Sequence, residues 1–205
     1  KVEIQKAKDR LFGVWCIVPL GEPGFFDNGD DLINSMSLED VRAVRLVPGG
    51  FSLHPEVIGD TLEVLAQNQI LTLMEVGWGL PGIFPVFHEL LSGFPTLPVL
   101  MTDHVWSQQR HIHKLMALHD NLHIEFSSYQ INRGIEHYVA DFGDERLLFG
   151  TGGTEKSPGA ARFYVDYAQI PDESKQRIAG ENLKRLLKGE GPSAPAELIR
   201  EDDSI

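Results

Sequence analysis

The sequence predicts an α/β fold with a parallel sheet, a (β/α)8, TIM-barrel-like arrangement, and three observations predict it. Short β-rich runs recur about every 25–30 residues, the length of one strand–loop–helix–loop unit. Amphipathic stretches with helical spacing fill the intervals. Right-handed crossovers then leave two outcomes, an open doubly wound sheet or a barrel. The open sheet usually carries a glycine-rich phosphate loop after its first strand. Here "VPLGEPGFFDNGDD" has glycines, but neither G-x-G-x-x-G spacing nor a P-loop lysine. The barrel is therefore favoured. A complete barrel takes eight units and about 250 residues, so the six β-α units read here make three quarters of one.

The elements follow in order. The first run, "FGVWCIVP" (residues 12–19), carries the single cysteine, Cys16, expected as a small buried hydrophobe. The second, "VRAVRLVP" (41–48), holds Arg42 and Arg45. One of these is expected to point into the barrel and pair with Glu75 or Glu125, because an unpaired charge there is very costly. In the following helix, "PEVIGDTLEVLAQNQ", Val57, Leu62 and Leu65 share a face. The third run, "ILTLMEVG" (70–77), ends near Glu75, and the fourth, "LPVLMTDHV" (97–105), ends in Thr102, Asp103 and His104. "SQQRHIHKLMALHD" turns Ile112, Leu115, Met116 and Leu118 inward. The histidines of His111-x-His113 face about 200° apart on such a helix and do not aim at one metal. His119 and His123 are expected at the surface of a helix-to-strand turn on the opposite rim. The fifth run, "LHIEFSSY" (122–129), precedes the helix "GIEHYVADFG" with Ile135, Tyr138, Val139 and Phe142, and the sixth, "RLLFGTG" (146–152), leads into "TEKSPGAARF". The last helix, "DESKQRIAGENLKRLLKGE", is capped by Asp172 and packs Ala179, Leu183 and Leu186. Asn182 within it reads as a hydrogen bonder between packed elements. Residues 1–190 form one domain, and residues 191–205 read as a mobile acidic tail.

Composition excludes some functions. Against 18 basic residues stand 30 acidic ones, a formal charge of −12. Such a chain is a poor general binder of nucleic acid or anionic membrane. One cysteine rules out a disulfide framework within the chain and suits a reducing, cytoplasmic compartment. No apolar run approaches the ~20 residues of a membrane-crossing helix, and the first residues show no signal-peptide pattern. The opening "KVEIQKAKDR" reads as a helical phrase with an N-terminal part expected before it.

The stretch "GDERLLFGTGGTEKSPGAARFYVDYAQIPDESKQRIAGENLKRLL" resembles the C-terminal end of amidohydrolase-superfamily proteins, metal-dependent hydrolases and related decarboxylases with a (β/α)8 barrel. Their last strand reads D-R-hydrophobic-hydrophobic-F-G-S/T-D. Their last helix matches here at Lys175, Ile178, Asn182, Arg185, Leu186 and Leu187. "VRAVRLVPG" resembles the family's fourth strand and "NLHIEFSSYQ" its seventh. The resemblance covers residues 1–188 and implies that the six runs are barrel strands 3–8. It also implies that the first two strands, with the usual His-x-His metal pair, lie outside this sequence. In the family, histidines ending the fifth and sixth strands and an aspartate ending the eighth complete the metal site. Here those places fall at Glu75, at Thr102 with Asp103 and His104 just beyond, and at Gly152. A glycine can neither accept a proton nor bind a metal through a side chain, so the usual mechanism does not carry over.

Barrel active sites lie at the C-terminal ends of the strands. The catalytic candidates there are Glu75, Asp103 and His104. Arg45, His54, Trp78, Tyr129, Arg133, Gly152 and Glu155 are the expected ligand-binding residues. The residues leave the cofactor open, with a divalent metal such as zinc the candidate, since Glu75, Asp103 and His104 offer oxygen and imidazole donors. If no metal is held, Gly150, Gly152 and Gly153 serve a sharp turn whose N–H groups receive an anion. The expected partner is a small-molecule ligand or substrate, with a homo-oligomer compatible and neither nucleic acid nor membrane. Two functions follow. One is an amidohydrolase-type hydrolase or decarboxylase acting on a small organic acid or amide, with an atypical metal site. The other is a catalytically silent barrel that binds a ligand or a protein.

Overall fold

The computed structural model describes residues 6–7, 10–18, 20–21, 25–46, 55–76, 82–153 and 155–190. The expected tail, His54 and Trp78 lie outside the described residues. Six strands form one sheet in sequential order: β1 (Gly13–Ile17), β2 (Val41–Leu46), β3 (Leu71–Glu75), β4 (Val99–Thr102), β5 (Leu122–Glu125) and β6 (Leu147–Leu148). Every neighbouring pair is parallel. Sequential order with helical crossovers makes an arc of a parallel barrel.

Helices α1 (Gly29–Leu38), α2 (Pro55–Gln67), α3 (Ile83–Gly93), α4 (Gln109–Leu118), α5 (Gly134–Phe142) and α6 (Pro158–Asp166) alternate with or follow the strands. The C-terminal segment comprises α7 (Asp172–Gln176), a π-helical turn (Arg177–Glu181) and α8 (Asn182–Leu187). Local chemistry sets several ends. The Asn28 side chain caps α1 by accepting from the Asp31 N–H at 3.0 Å. Pro158 opens α6, where a missing N–H costs nothing.

The strands alternate with a period of two. Val44, Leu46, Met74, Val99, Met101, Ile124 and Leu147 face the helices and join the main core. Ala43, Leu71, Leu100 and Leu148 face the other way, into a second cluster closed by Leu186 of α8. Burying one large apolar side chain contributes about 1.5–3 kcal/mol, so these two faces fix the register of every strand. The inner face also carries Arg45, Glu75 and Glu125, in step with Ala43, Leu71 and His123.

Some expectations need correction. Cys16 is exposed, because it shares the inner face with its register partner Arg45 on the edge strand β1. His119 and His123 are buried, 8% and 1% exposed, with His119 Nε2 2.8 Å from Nδ1 of His88 on α3. In α2 the inward positions are Ile58, Leu62 and Leu65, while Val57 is exposed, as is Leu118 of α4. In the last helix the buried row is Ile178, Asn182 and Leu186: of the expected set Leu186 is inward, whereas Ala179 and Leu183 are exposed. Asp172 is the first helical residue and Pro171 precedes it as cap. Asn182 does bond between elements: its amide donates to the Asp144 and Leu147 carbonyls at 2.8 and 2.9 Å.

Candidate functional site

The C-terminal ends of β2–β6 surround a cavity of about 480 Å³ whose charged lining comprises Arg45, Glu75, Asp103, Glu125, Glu155 and Lys156. Four of these derive from strand geometry. Arg45 and Glu75 stand on adjacent strands, with Arg45 opposite Leu73. They form an ion pair, Arg45 Nη2 donating to Glu75 Oε2. The pairing of a β2 arginine with Glu75 thus follows the sequence reading, but both side chains are partly exposed rather than locked in a dry core.

Asp103 follows β4 in the left-handed region, at φ 52°. A non-glycine residue there carries strain of about 1–3 kcal/mol. Its Oδ1 accepts from Lys156 Nζ at 2.6 Å and from Ser128 Oγ at 3.2 Å, and Lys156 also donates to Ser128 Oγ. Glu125, at the end of β5, is 6% exposed. Its carboxylate accepts from Ser127 N at 2.6 Å, Ser127 Oγ at 2.8 Å and Asp103 N at 3.2 Å. Three neutral donors hold this carboxylate in one orientation. The close passage of β6 explains Gly150: a Cβ there would overlap the Glu125 carboxylate. Gly152 and Gly153 have φ +73° and +59°, so the turn after β6 needs the left-handed freedom of glycine. A Cβ on Gly152 would lie 2.5 Å from Lys156 Cδ.

The expected residues divide among several places. Arg45, Glu75, Asp103, Gly152 and Glu155 come together at the cavity. His104 does not: it is fully buried, with its ring 4.9 Å from that of Tyr129 and, among the described residues, neither ring nitrogen at hydrogen-bond geometry to a partner. The Met101 carbonyl acts on the ring only from outside that geometry. Burial pushes His104 down to about 3, against the opposing pull of the Asp103 charge. Tyr129 is also in the helix-side core, bonded to Tyr138 at 3.0 Å, and burial pushes its hydroxyl up. Arg133 caps α5 in the left-handed region and lines a separate surface recess with Tyr164 and Tyr167. His111 stacks on Phe84 and His113 meets Asp141 at 2.9 Å.

Sequence reading missed Lys156 and Ser128, and took Glu125 only as a partner for arginine. A lysine in a loop after a strand carries no signal by itself. The nearest hint was Gly150, whose missing side chain makes room for a neighbour.

Among the described residues no group of three or more His, Cys, Asp or Glu side chains converges as a metal-binding set. Glu75 is paired with Arg45, Asp103 with Lys156, His104 lies in the core and Gly152 offers no donor. The described donor set therefore does not fit a divalent metal.

No protein-family model and no curated protein matches the chain in sequence. Solved structures do match in fold. An uncharacterized TIM-barrel protein from Bordetella bronchiseptica superposes with a TM-score of 0.68 at 18% identity, covering 92% of this chain and 70% of its own. 5-Carboxyvanillate decarboxylase from Sphingomonas paucimobilis gives 0.68 at 11% identity, with 91% and 69% covered. Dihydroorotase from Campylobacter jejuni gives 0.62 at 12% identity, with 90% and 66% covered. The chain thus spans about two thirds of that dihydroorotase. The resemblance to amidohydrolase-superfamily barrels holds at the level of fold. Among the described residues, no helix is long and apolar enough to cross a membrane.

Proposed function

We propose that the chain is a hydrolase, or a related decarboxylase, of amidohydrolase type that acts on a small organic acid or amide. One observation carries this reading: charged side chains from the ends of four consecutive strands, β2 to β5, and from the loop after β6 converge on a single cavity at the C-terminal strand ends. Parallel α/β barrels place their chemistry there, and about 480 Å³ suits a small molecule. Fold likeness to a decarboxylase and a dihydroorotase supports the choice of class.

Asp103 is the residue placed to move a proton. The two described hydrogen bonds to its carboxylate both fall on Oδ1, which leaves Oδ2 with lone pairs for a water or a substrate O–H. Arg45 offers guanidinium N–H groups to a substrate oxygen beside Glu75. Glu125 acts through Ser127 and the Asp103 backbone, holding the carboxylate-bearing turn in place. A second reading, a barrel that binds a ligand without turning it over, is favoured by Gly152 and by the pairing of Glu75 and Asp103 with cations.

The test is turnover of a panel of carboxylated aromatic acids, cyclic amides and esters, followed by proton uptake or release. Asp103→Asn is expected to lower any rate found by about 10²–10⁴-fold, the usual range for loss of a general base. Equal rates in Asp103→Asn would sink the assignment of the base. Binding without turnover throughout the panel would leave the ligand-binding reading in its place.

A further inference from the structure

We propose that Lys156 is a built-in cation at this site, which supplies in place of a divalent metal the positive charge that receives the carboxylate of an acidic ligand. The inference deepens the reading above and rests on it for the location of the site.

Three observations converge on Lys156. Its ammonium bridges Asp103 Oδ1, at 2.6 Å, and Ser128 Oγ, so it is anchored at the end of β4 although it belongs to the loop after β6. Its stem fills the space a side chain at Gly152 would need, with Cδ 2.5 Å from the notional Cβ. The strand end where the resemblance leads one to expect a carboxylate on a metal thus holds the aliphatic part of a lysine whose charge lies against the neighbouring carboxylate. Finally, the other carboxylates on the strand ends are committed, Glu75 to Arg45 and Glu125 to Ser127 and the Asp103 N–H. A metal would have to break these pairs, whereas the lysine completes them.

An ammonium has three N–H donors. Two are accounted for by Asp103 and Ser128, and among the described residues no further acceptor takes the third. The side chain is about one third exposed and lines the cavity. The remaining N–H is therefore available to an anion entering the cavity, on an ammonium already held in place by the Asp103 carboxylate. Glu125 does not compete for it, since its described hydrogen bonds come from other donors. The ligand class that fits is a small organic acid binding through one carboxylate.

The test uses benzoate and zinc chloride as probes on the purified protein. Benzoate is expected to shift the Lys156 side-chain ¹⁵Nζ–¹H resonance, with Lys156→Arg providing the assignment. Lys156→Met is expected to weaken benzoate binding about tenfold or more, since a hydrogen bond to a charged group is involved, and Lys156→Arg to keep most of it. Zinc is expected to bind wild-type protein far below one equivalent in equilibrium dialysis. An unmoved Nζ signal at saturating benzoate, or equal affinity in folded Lys156→Met, would overturn the proposal. So would one equivalent of zinc that is lost in Asp103→Asn. Should Lys156→Met fail to fold, the Nζ signal of the wild type alone decides. Turnover plays no part in these measurements, so a barrel that converts no substrate can pass them and an active one can fail.

Discussion

Gly152 shows how one residue decides between two chemistries. Its φ of +73° and its distance to Lys156 make a side chain there doubly unwelcome. Gly152→Asp is expected to lose about 1–3 kcal/mol of stability from left-handed backbone strain, with further cost if the Lys156 stem must move. It is also expected to gain no zinc, because the new carboxylate would start against that stem. Urea unfolding with metal analysis of the variant checks both, and a stable variant holding one equivalent of zinc would contradict them. His104 makes a second case. Its folded pKa, about 3, lies below the ordinary value of 6.5. The unfolded chain therefore binds the extra proton first as pH falls, so the neutral ring's contribution is complete above about 6.5 and is lost towards 3. The loss runs at about 1.4 kcal/mol per pH unit in that window. His123, pushed by burial to about 4, adds to it in the same direction. His104→Phe is expected to retain about 2 kcal/mol that the wild type loses between pH 7 and pH 5, measured as the change in urea-unfolding free energy. An identical pH dependence in the two proteins would rule this out.

At the scale of elements, what was legible depended on whether a residue's role is written in its local period. All six runs read as β-rich became parallel strands, because continuous apolar stretches of that length bury both faces. Helices α1 and α3 went unread in the intervals. In α1 the sequence "GDDLINSMSL" buries only Leu32 and Met36, too sparse a stripe to announce itself, and α3 is apolar nearly all round, with Ile83, Phe87, Leu90 and Leu91 buried. The C-terminal helix was read on the wrong face for a different reason. A helix with Ala179, Leu183 and Leu186 inward satisfies apolar spacing. The observed segment instead widens into a π turn and puts the polar Asn182 inward, where it satisfies the Asp144 carbonyl ahead of β6 and the Leu147 carbonyl at its start. A buried asparagine contributes nothing to an apolar period, so spacing alone cannot find it. The site divides along the same line. Arg45, Glu75 and Asp103 sit on or beside strands, and their register could be counted. Lys156 and Ser128 meet only after two loops have folded onto each other, and no local pattern encodes that meeting.

For the whole molecule, the decisive feature is an arc with two edges. Among the described strands β1 pairs only with β2, and β6 only with β5. An exposed strand edge is a template for further pairing. On β1 the inner face presents Val14, 45% exposed, and the exposed Cys16, register partners of Ala43 and Arg45. That single thiol makes the state of the edge measurable. In the 205-residue chain a disulfide reagent such as dithionitrobenzoate is expected to label Cys16 in native buffer at a rate close to that in urea, because no opening step is needed. A large native protection would mean that the inner face of β1 is covered. Repeating the measurement across protein concentration then separates the ways of covering it. Protection that grows with concentration means a second copy of the chain lies on the edge, the homo-oligomer compatible with the sequence. Protection independent of concentration means the chain covers its own edge, and the same rate would then be recovered only on unfolding.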